Sequence, residues 1–213
     1  MPPEERLICR FAAEPPQDPL PYGRWAETLQ AEFLAACLRI KTDEDEDLGE
    51  AGEPLWFPDR TWAGRTYVPV TTRTTTGYEL YGYVSFTPGD EGDEPADFYA
   101  WADFTDNTVD DNPDWRMDLT DEVIGGWRGE QNKVAAMTLI WGRPLVDGAA
   151  VATAELARLT VDQCTIDDER FTLLAADAYR GDYLEVALYD RKANQLARES
   201  LYEDDGEDGG EDG

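Results

Sequence analysis

A two-residue alternation of apolar and polar side chains recurs beyond residue 60 and constrains the fold more than any other feature. Residues 97–105 (DFYAWADFT) show it best, because an apolar set alternates with a second set: Phe98, Ala100, Ala102 and Phe104 against Asp97, Tyr99, Trp101 and Asp103. This period places successive side chains on opposite faces of a β-strand. Similar patterns predict further strands at 65–75, 78–87, 171–180, 183–190 and 196–202, a shorter alternation predicts one at 6–12, and an apolar run predicts one at 134–141.

One segment has the period of an amphipathic helix instead. In residues 24–40 the apolar side chains recur at spacings of three and four: Trp25, Leu29, Phe33, Ala36, Cys37 and Ile40. Few other segments show the helical pattern that parallel βαβ units require. The predicted fold class is therefore α+β, predominantly antiparallel β (sandwich-like or layered sheet), with one N-terminal amphipathic helix at 24–40.

Several local features refine this prediction. Pro69 argues that strand 65–75 lies at an edge or contains a bulge, since proline donates no ladder hydrogen bond. Residues 180–182 (RGD) predict a tight turn within a C-terminal meander, and residues 149–161 fit either a helix or a strand. Residues 97–118 are expected to form a β-hairpin with aspartates in its turn. Residues 134–141 are nearly continuously apolar, as is typical of a strand covered on both faces.

The charge of the chain is large and unevenly distributed. Its formal net charge is -29, from 47 acidic and 18 basic residues. Nearly all of this excess lies in four segments, at 42–53, 89–97, 103–122 and 203–213. Such a field repels phosphate backbones and anionic headgroups, so direct binding to nucleic acid or a membrane is not expected. A basic protein partner is expected instead.

Residues 1–202 are expected to form a single globular domain, with an acidic loop or linker at 42–53. The tail 203–213 is rich in glycine and acidic residues and is expected to be disordered. The N-terminus shows no apolar signal-peptide core, and no segment has the length and apolarity of a membrane span. Cys9, Cys37 and Cys164 show no CxxC spacing, so a reducing, cytoplasmic setting is predicted.

The chain contains no histidine. This absence excludes Ser-His-Asp and Cys-His catalysis and every histidine-ligated metal site. No catalytic residue, resident metal or cofactor is predicted, and the expected class is non-enzymatic.

The aspartate-rich stretch after residue 105 fails the pattern of a calcium loop. A loop starting at Asp106 offers oxygen ligands at alternate positions: Asp106, Thr108, Asp110, Asn112 and Asp114. The sixth position of an EF-hand requires glycine but is Asp111, and the twelfth requires glutamate but is Met117. A weaker cation site between loops stays open as an alternative.

Carboxylate-dependent catalysis on a carbohydrate is a further alternative. It needs two fixed carboxyl groups and aromatic platforms for the sugar. Trp101 and Trp115 lie near Asp103, Asp106 and Asp114 in sequence. Such neighbours arise easily by chance in a chain with 47 acidic residues, so this hypothesis is the least favoured.

An acidic recognition surface is the favoured interpretation. If strand 97–105 is half-buried, its second face carries aromatic side chains among carboxylates, and Tyr81 and Tyr83 are expected to face outward beside it. Aromatic anchors with a charged rim are typical of protein interfaces. The competing interpretation is that a second layer of the protein covers this face. The predicted partner-binding residues are Tyr99, Trp101, Asp103, Asp106, Asp110, Asp111, Asp114 and Trp115.

The sequence thus predicts an acidic protein-interaction module that binds a basic partner. Two forms fit: an inhibitor or immunity-type protein, and a nucleic-acid mimic that occupies a DNA-binding groove. An accessory subunit of a larger cytoplasmic assembly is the main alternative.

Overall fold

A computed structural model of the chain describes residues 25–42, 46–89, 94–128, 134–177 and 184–201. Within these ranges the chain forms a single helix, α1 (Ala26–Cys37), followed only by strands. The strands are β1 (Leu55–Trp56), β2 (Arg60–Trp62), β3 (Arg65–Arg73), β4 (Glu79–Thr87), β5 (Ala96–Thr105), β6 (Met117–Arg128), β7 (Val134–Pro144), β8 (Val151–Leu156), β9 (Leu159–Thr165), β10 (Phe171–Asp177), β11 (Leu184–Tyr189) and β12 (Gln195–Ser200). The predicted fold class is confirmed. The predicted strand 6–12, the turn 180–182 and the tail 203–213 lie outside the described residues.

The strands form three antiparallel sheets. In the first sheet β1 and β2 both pair with β3, which pairs with β4, and β4 pairs with β5. The second sheet has the order β10-β7-β6, and the third has the order β12-β11-β8-β9. No helix among the described residues is long and apolar enough to cross a membrane.

Helix α1 covers one face of the first sheet. Its spacing of three and four residues buries Leu29, Phe33 and Ala36 together. These side chains pack on alternate residues of β3, β4 and β5, which share one sheet face: Val68, Val70, Leu80, Val84, Phe86 and Ala100. The predicted amphipathic helix is thus confirmed, with slightly narrower bounds.

The opposite face of the first sheet packs on the second sheet. Tyr67 and Tyr83 meet Met137, Leu139 and Trp141 of β7 in this layer. The next side chain along β7, Ile140, belongs instead to the core shared with the third sheet. Strand β7 is therefore apolar on both faces, as its sequence predicted.

The second and third sheets bury one common core and meet along two seams. At the first seam, the Asp162 carboxylate of β9 accepts a hydrogen bond of 2.8 Å from the backbone N–H of Leu174 on β10. At the second, the guanidinium of Arg116 donates to the carbonyl of Leu196 on β12, at 2.8 Å. Side chains, in place of a backbone ladder, join the two sheets at these points.

The predicted hairpin at 97–118 is wrong. Strand β5 pairs with β4 in the first sheet, whereas β6 pairs with β7 in the second. The loop between them, residues 106–116, carries the chain from one layer to the next. The predicted C-terminal meander is wrong at one point, because β10 does not pair with the next strand, β11. Strand β10 pairs with β7, and β11 pairs with β8 and β12.

Pro69 was predicted to lie at an edge or a bulge; it lies where the ladder on one side of β3 is interrupted, and the β3–β4 register shows no shift at this residue. Strand β3 is an interior strand, but its outer neighbour changes from β1 to β2 around this residue. The Pro69 carbonyl accepts the Phe57 N–H at 3.0 Å in the gap. The ambiguous segment 149–161 forms β8 and part of β9, joined by Ala157 and Arg158, whose φ angles of 51° and 65° are those of a tight hairpin turn.

The described part of the acidic loop 42–53 is fastened to the turn between β3 and β4. The Glu50 N–H donates to the hydroxyl of Thr75 at 3.0 Å, and the Thr76 hydroxyl donates to the Leu48 carbonyl at 2.6 Å. Residues 46–53 therefore form an ordered loop alongside the first sheet.

Candidate functional site

Four aromatic side chains share one end of the sheet face that is turned away from α1. Tyr81 and Tyr83 come from β4, and Tyr99 and Trp101 come from β5, because residues two apart on a strand face the same way. The rings of Tyr83 and Trp101 are stacked, with centroids 6.0 Å apart and planes 26° apart. Tyr81 meets Trp101 edge to face at 5.9 Å.

The second sheet covers this aromatic row only in part. Tyr83 is 7% exposed, Tyr81 and Trp101 are half-buried, and Tyr99 is 53% exposed. The expectation that Tyr83 faces solvent is therefore wrong, since its ring packs in the layer with Met137 and Leu139. The cover thins toward β5, the last strand of the first sheet, and leaves Tyr99 open.

Carboxylates from two sheets adjoin the aromatic row. Asp103 lies directly opposite Tyr81 in the β4–β5 pairing, and Glu122 comes from β6 in the second sheet. Burial raises the pKa of the Glu122 carboxyl, and the charges of Asp121 and Asp103 raise it further. Burial and the same carboxylates raise the pKa of the Tyr81 phenol. We call Tyr81, Tyr99, Trp101, Asp103 and Glu122 the aromatic–carboxylate face.

The sequence patterns placed four members of this face together, Tyr81, Tyr99, Trp101 and Asp103, and gave no indication of Glu122. Tyr99, Trp101 and Asp103 follow from the alternation of β5. Glu122 reaches the same place only because β6 crosses to the second sheet, and a hairpin with β5 gives no such arrangement.

The other five predicted residues lie in the loop 106–116, which is ordered by its own hydrogen bonds. The buried Thr108 hydroxyl donates to the Asp111 carboxylate at 3.0 Å, and the Asn112 side-chain amide donates to the Thr108 carbonyl at 2.8 Å. Asp106 and Asp114 are exposed, and Trp115 is half-buried. Asp111 thus stabilises the loop, whereas Asp106 and Asp114 only add charge to its surface.

Asp110 belongs to a cluster of ion pairs at the end of the first sheet. Its carboxylate lies 3.3 Å from the guanidinium of Arg73, which also lies 3.4 Å from Glu79. Burial, together with the charge of Asp118, raises the pKa of Glu79 to about 7 against the opposing effect of Arg73. Arg73 therefore compensates part of the charge that the sequence assigned to a binding surface.

The described residues were compared with two kinds of reactive centre, a metal-ligand cluster and an activated thiol. They contain no group of three or more cysteine, aspartate or glutamate side chains placed to hold a metal ion. Burial raises the pKa of the Cys37 thiol and of the Cys164 thiol to about 11, so both stay protonated near neutral pH.

A concave region lies on the outer face of the third sheet. This groove has a volume of about 930 Å³ and is open to solvent. Thr153, Gln163 and Tyr189 line its floor, and Arg191 and Lys192 lie in the turn at its rim. These residues come from three strands and a turn that are distant in sequence, so no local pattern indicated the groove.

No family model, curated protein or solved structure matches this chain. The fold and the face define a strongly acidic, layered antiparallel β protein.

Proposed function

We propose that this chain is a non-enzymatic interaction module that binds a basic partner protein through the aromatic–carboxylate face. The observation that carries the proposal is the position of Trp101. Its half-buried indole lies between Tyr81 and Tyr83, with Asp103 on the same strand face. An ammonium or guanidinium group there meets both an aromatic ring and a carboxylate, two attractions that reinforce each other.

The electrostatics of the face support a cationic ligand. Burial raises the pKa of Glu122, and repulsion from the carboxylates of Asp121 and Asp103 raises it further. A bound cation relieves that repulsion, so binding stabilises the ionised form of Glu122. The net charge of -29 adds long-range attraction and accelerates the encounter with a basic protein.

The shape of the face favours one form of partner over another. A nucleic-acid mimic needs carboxylates spaced along a ridge as phosphates are, whereas this face has an aromatic centre and a carboxylate rim. An inhibitor or immunity-type protein that covers a cationic site therefore fits better. Cys37 and Cys164 are free thiols rather than a disulfide, which suits a reducing compartment, and we propose a cytoplasmic setting.

Affinity capture with matched baits tests this function. Immobilised wild-type protein, the D103N/E122Q variant and the E50Q/E53Q variant are exposed to extract of the native host. The last variant loses the same charge from the exposed loop beside the β3–β4 turn. We expect the wild type and E50Q/E53Q to retain a basic protein that D103N/E122Q loses. Equal recovery by all three baits would reject the face as the binding site.

A further inference from the structure

We propose that the partner supplies an extended basic segment that pairs antiparallel with the open side of β5, as a sixth strand of the first sheet. This inference rests on the proposed function and specifies how the partner is held. It requires an available strand edge, backbone groups directed toward that edge, and side-chain positions that favour a cationic strand.

Strand β5 ends the first sheet. Among the described residues it pairs with β4 on one side and with no strand on the other. All pairings within this sheet are antiparallel, so an added antiparallel strand continues the existing pattern. Addition of a strand to such an edge is a common mode of peptide recognition.

The direction of the β5 backbone groups follows from Pro69. Its carbonyl bonds to Phe57, away from β4, so its partner Tyr83 directs its own N–H and carbonyl toward β5. Tyr83 and Trp101 are therefore a hydrogen-bonded pair. Because the direction alternates along a strand, the backbone groups of Ala100 and Ala102 point to the open side.

Two side-chain hydrogen bonds agree with this alternation. The exposed Arg39 guanidinium donates to the Ala100 carbonyl at 3.3 Å, and the Asp103 carboxylate accepts the Phe104 N–H at 2.9 Å. Both bonds lie on the edge where a strand is to bind. Ala102 lies between them and makes no comparable side-chain bond among the described residues, so it marks the centre of the proposed pairing.

The side chains flanking the edge select a basic strand. A residue opposite Ala102 bonds to it and turns its side chain toward the α1 side of the sheet. Residues opposite Trp101 and Asp103 turn theirs onto the aromatic–carboxylate face. Alternate lysine or arginine residues thus meet the rings and carboxylates, whereas a second copy of this acidic strand is repelled. Many proteins protect such edges with lysine; Asp97 and Asp103 here leave the edge open to cations.

Backbone methylation of a defined peptide tests the pairing. The probe is an acetylated, amidated octapeptide of alternating lysine and threonine, whose affinity is measured by titration calorimetry at low salt. With lysines on the aromatic–carboxylate face, the threonine N–H groups bond to β5 and the lysine N–H groups point away. We expect N-methylation of the threonines to weaken binding about tenfold or more, since several hydrogen bonds are lost. N-methylation of the lysines is expected to change it about threefold or less.

Any other pattern in the affinities of the two methylated peptides overturns the proposed antiparallel pairing. Equal loss indicates a general steric effect, equal retention indicates contact through side chains alone, and loss confined to the lysine set indicates parallel addition. Failure of the unmethylated octapeptide to bind also overturns it. The proposed function is judged separately, since the D103N/E122Q bait can lose its basic protein whatever the methylated peptides do.

Discussion

The indole of Trp101 stacks on the phenol of Tyr83 across the backbone pair that joins β5 to β4. Tyr83 is anchored on its other side by Tyr67, with ring centroids 5.7 Å apart. The register of three strands thus fixes the orientation of Trp101 before any ligand arrives. A ring held in this way loses little rotamer freedom on binding, which favours its use as an anchor.

Replacing Trp101 by alanine is expected to weaken binding of the octapeptide or of a captured partner about tenfold or more, as at a central aromatic anchor. W101F keeps a ring and should lose less. W115A removes an indole from the loop 106–116 and is expected to leave the dissociation constant within about threefold. Calorimetry on the three variants, with circular dichroism to confirm folding, checks this order. A larger effect from W115A would move the binding site to the loop.

Asp106 and Asp114 are expected to act on the rate of association only. Both are exposed loop carboxylates outside the Arg73 cluster, so they contribute to the field without a fixed contact. The D106N/D114N variant should associate a few-fold more slowly at low salt and dissociate at the wild-type rate. Stopped-flow or surface plasmon resonance measurements at several salt concentrations check this. A changed dissociation rate would mean that these side chains contact the partner.

The free energy of unfolding is expected to fall as pH rises toward neutrality because of Glu79. Its pKa is raised from 4.5 to about 7 in the fold, so between these values the folded state holds a proton that the unfolded state has lost. Stability from this group is therefore fully present below pH 4.5 and is lost as pH approaches 7, by at most about 3 kcal/mol. E79Q should remove this dependence, whereas E53Q in the exposed loop should not. Urea unfolding from pH 4 to 8 gives the comparison, and parallel profiles of wild type and E79Q would contradict it.

Gly82 is expected to be essential for the pairing of β4 with β5. A Cβ atom on Gly82 would lie 2.1 Å from the Trp101 carbonyl oxygen, so the strands must separate to admit it. G82A should cost about 3 kcal/mol and reduce binding at the same edge. A Cβ atom on Gly126 in β6 would meet nothing within 4 Å beyond its chain neighbours, so G126A is the matched control and should be nearly neutral. Similar urea midpoints for the two variants would show that the pairing tolerates a methyl group.

The buried charge of Glu155 is expected to depend on Arg198. Glu155 is 4% exposed; its carboxylate pairs with the Arg198 guanidinium and accepts hydrogen bonds from Tyr189 and Thr153 at 2.8 and 3.0 Å. R198M should destabilise the protein by about 3 kcal/mol, because it leaves a buried carboxylate without its cation. The E155L/R198M double variant removes both charges and should recover part of that loss. An equal or greater loss in the double variant would show that Glu155 is stabilised mainly by the two hydroxyls.

Local sequence patterns predicted the helix and the individual strands of this fold more accurately than they predicted which strands pair. The spacing of Leu29 and Phe33 located α1, and the unbroken apolar run of β7 correctly indicated cover on both faces. The alternation of β5 assigned Tyr99, Trp101 and Asp103 to one face. Each of these inferences depends only on how side chains are directed within a single element.

The pairing of distant strands did not follow from the sequence. The alternation in β5 and the turn residues after it are the same whether the next strand returns beside β5 or crosses to another sheet. That choice depends on where Trp62, Ile124 and Trp141 find apolar partners, which is a property of the whole core. The passage of the chain from β5 in the first sheet to β6 in the second sets the position of Glu122, which supplies half of the carboxylate rim.

The two seams between the second and third sheets differ in kind from the ladders within them. Apart from the backbone bridge between Asp167 and Arg170, where the chain passes from β9 to β10, individual side chains such as Asp162 and Arg116 hold them, whereas a ladder has to break many backbone bonds together. Separation along a seam therefore exposes part of the shared core while leaving every strand pair intact. Transient local opening at a seam is accordingly a movement of whole sheets, and at the Asp162 seam it extends to the first sheet, because the same carboxylate lies 3.8 Å from the guanidinium of Arg60 on β2.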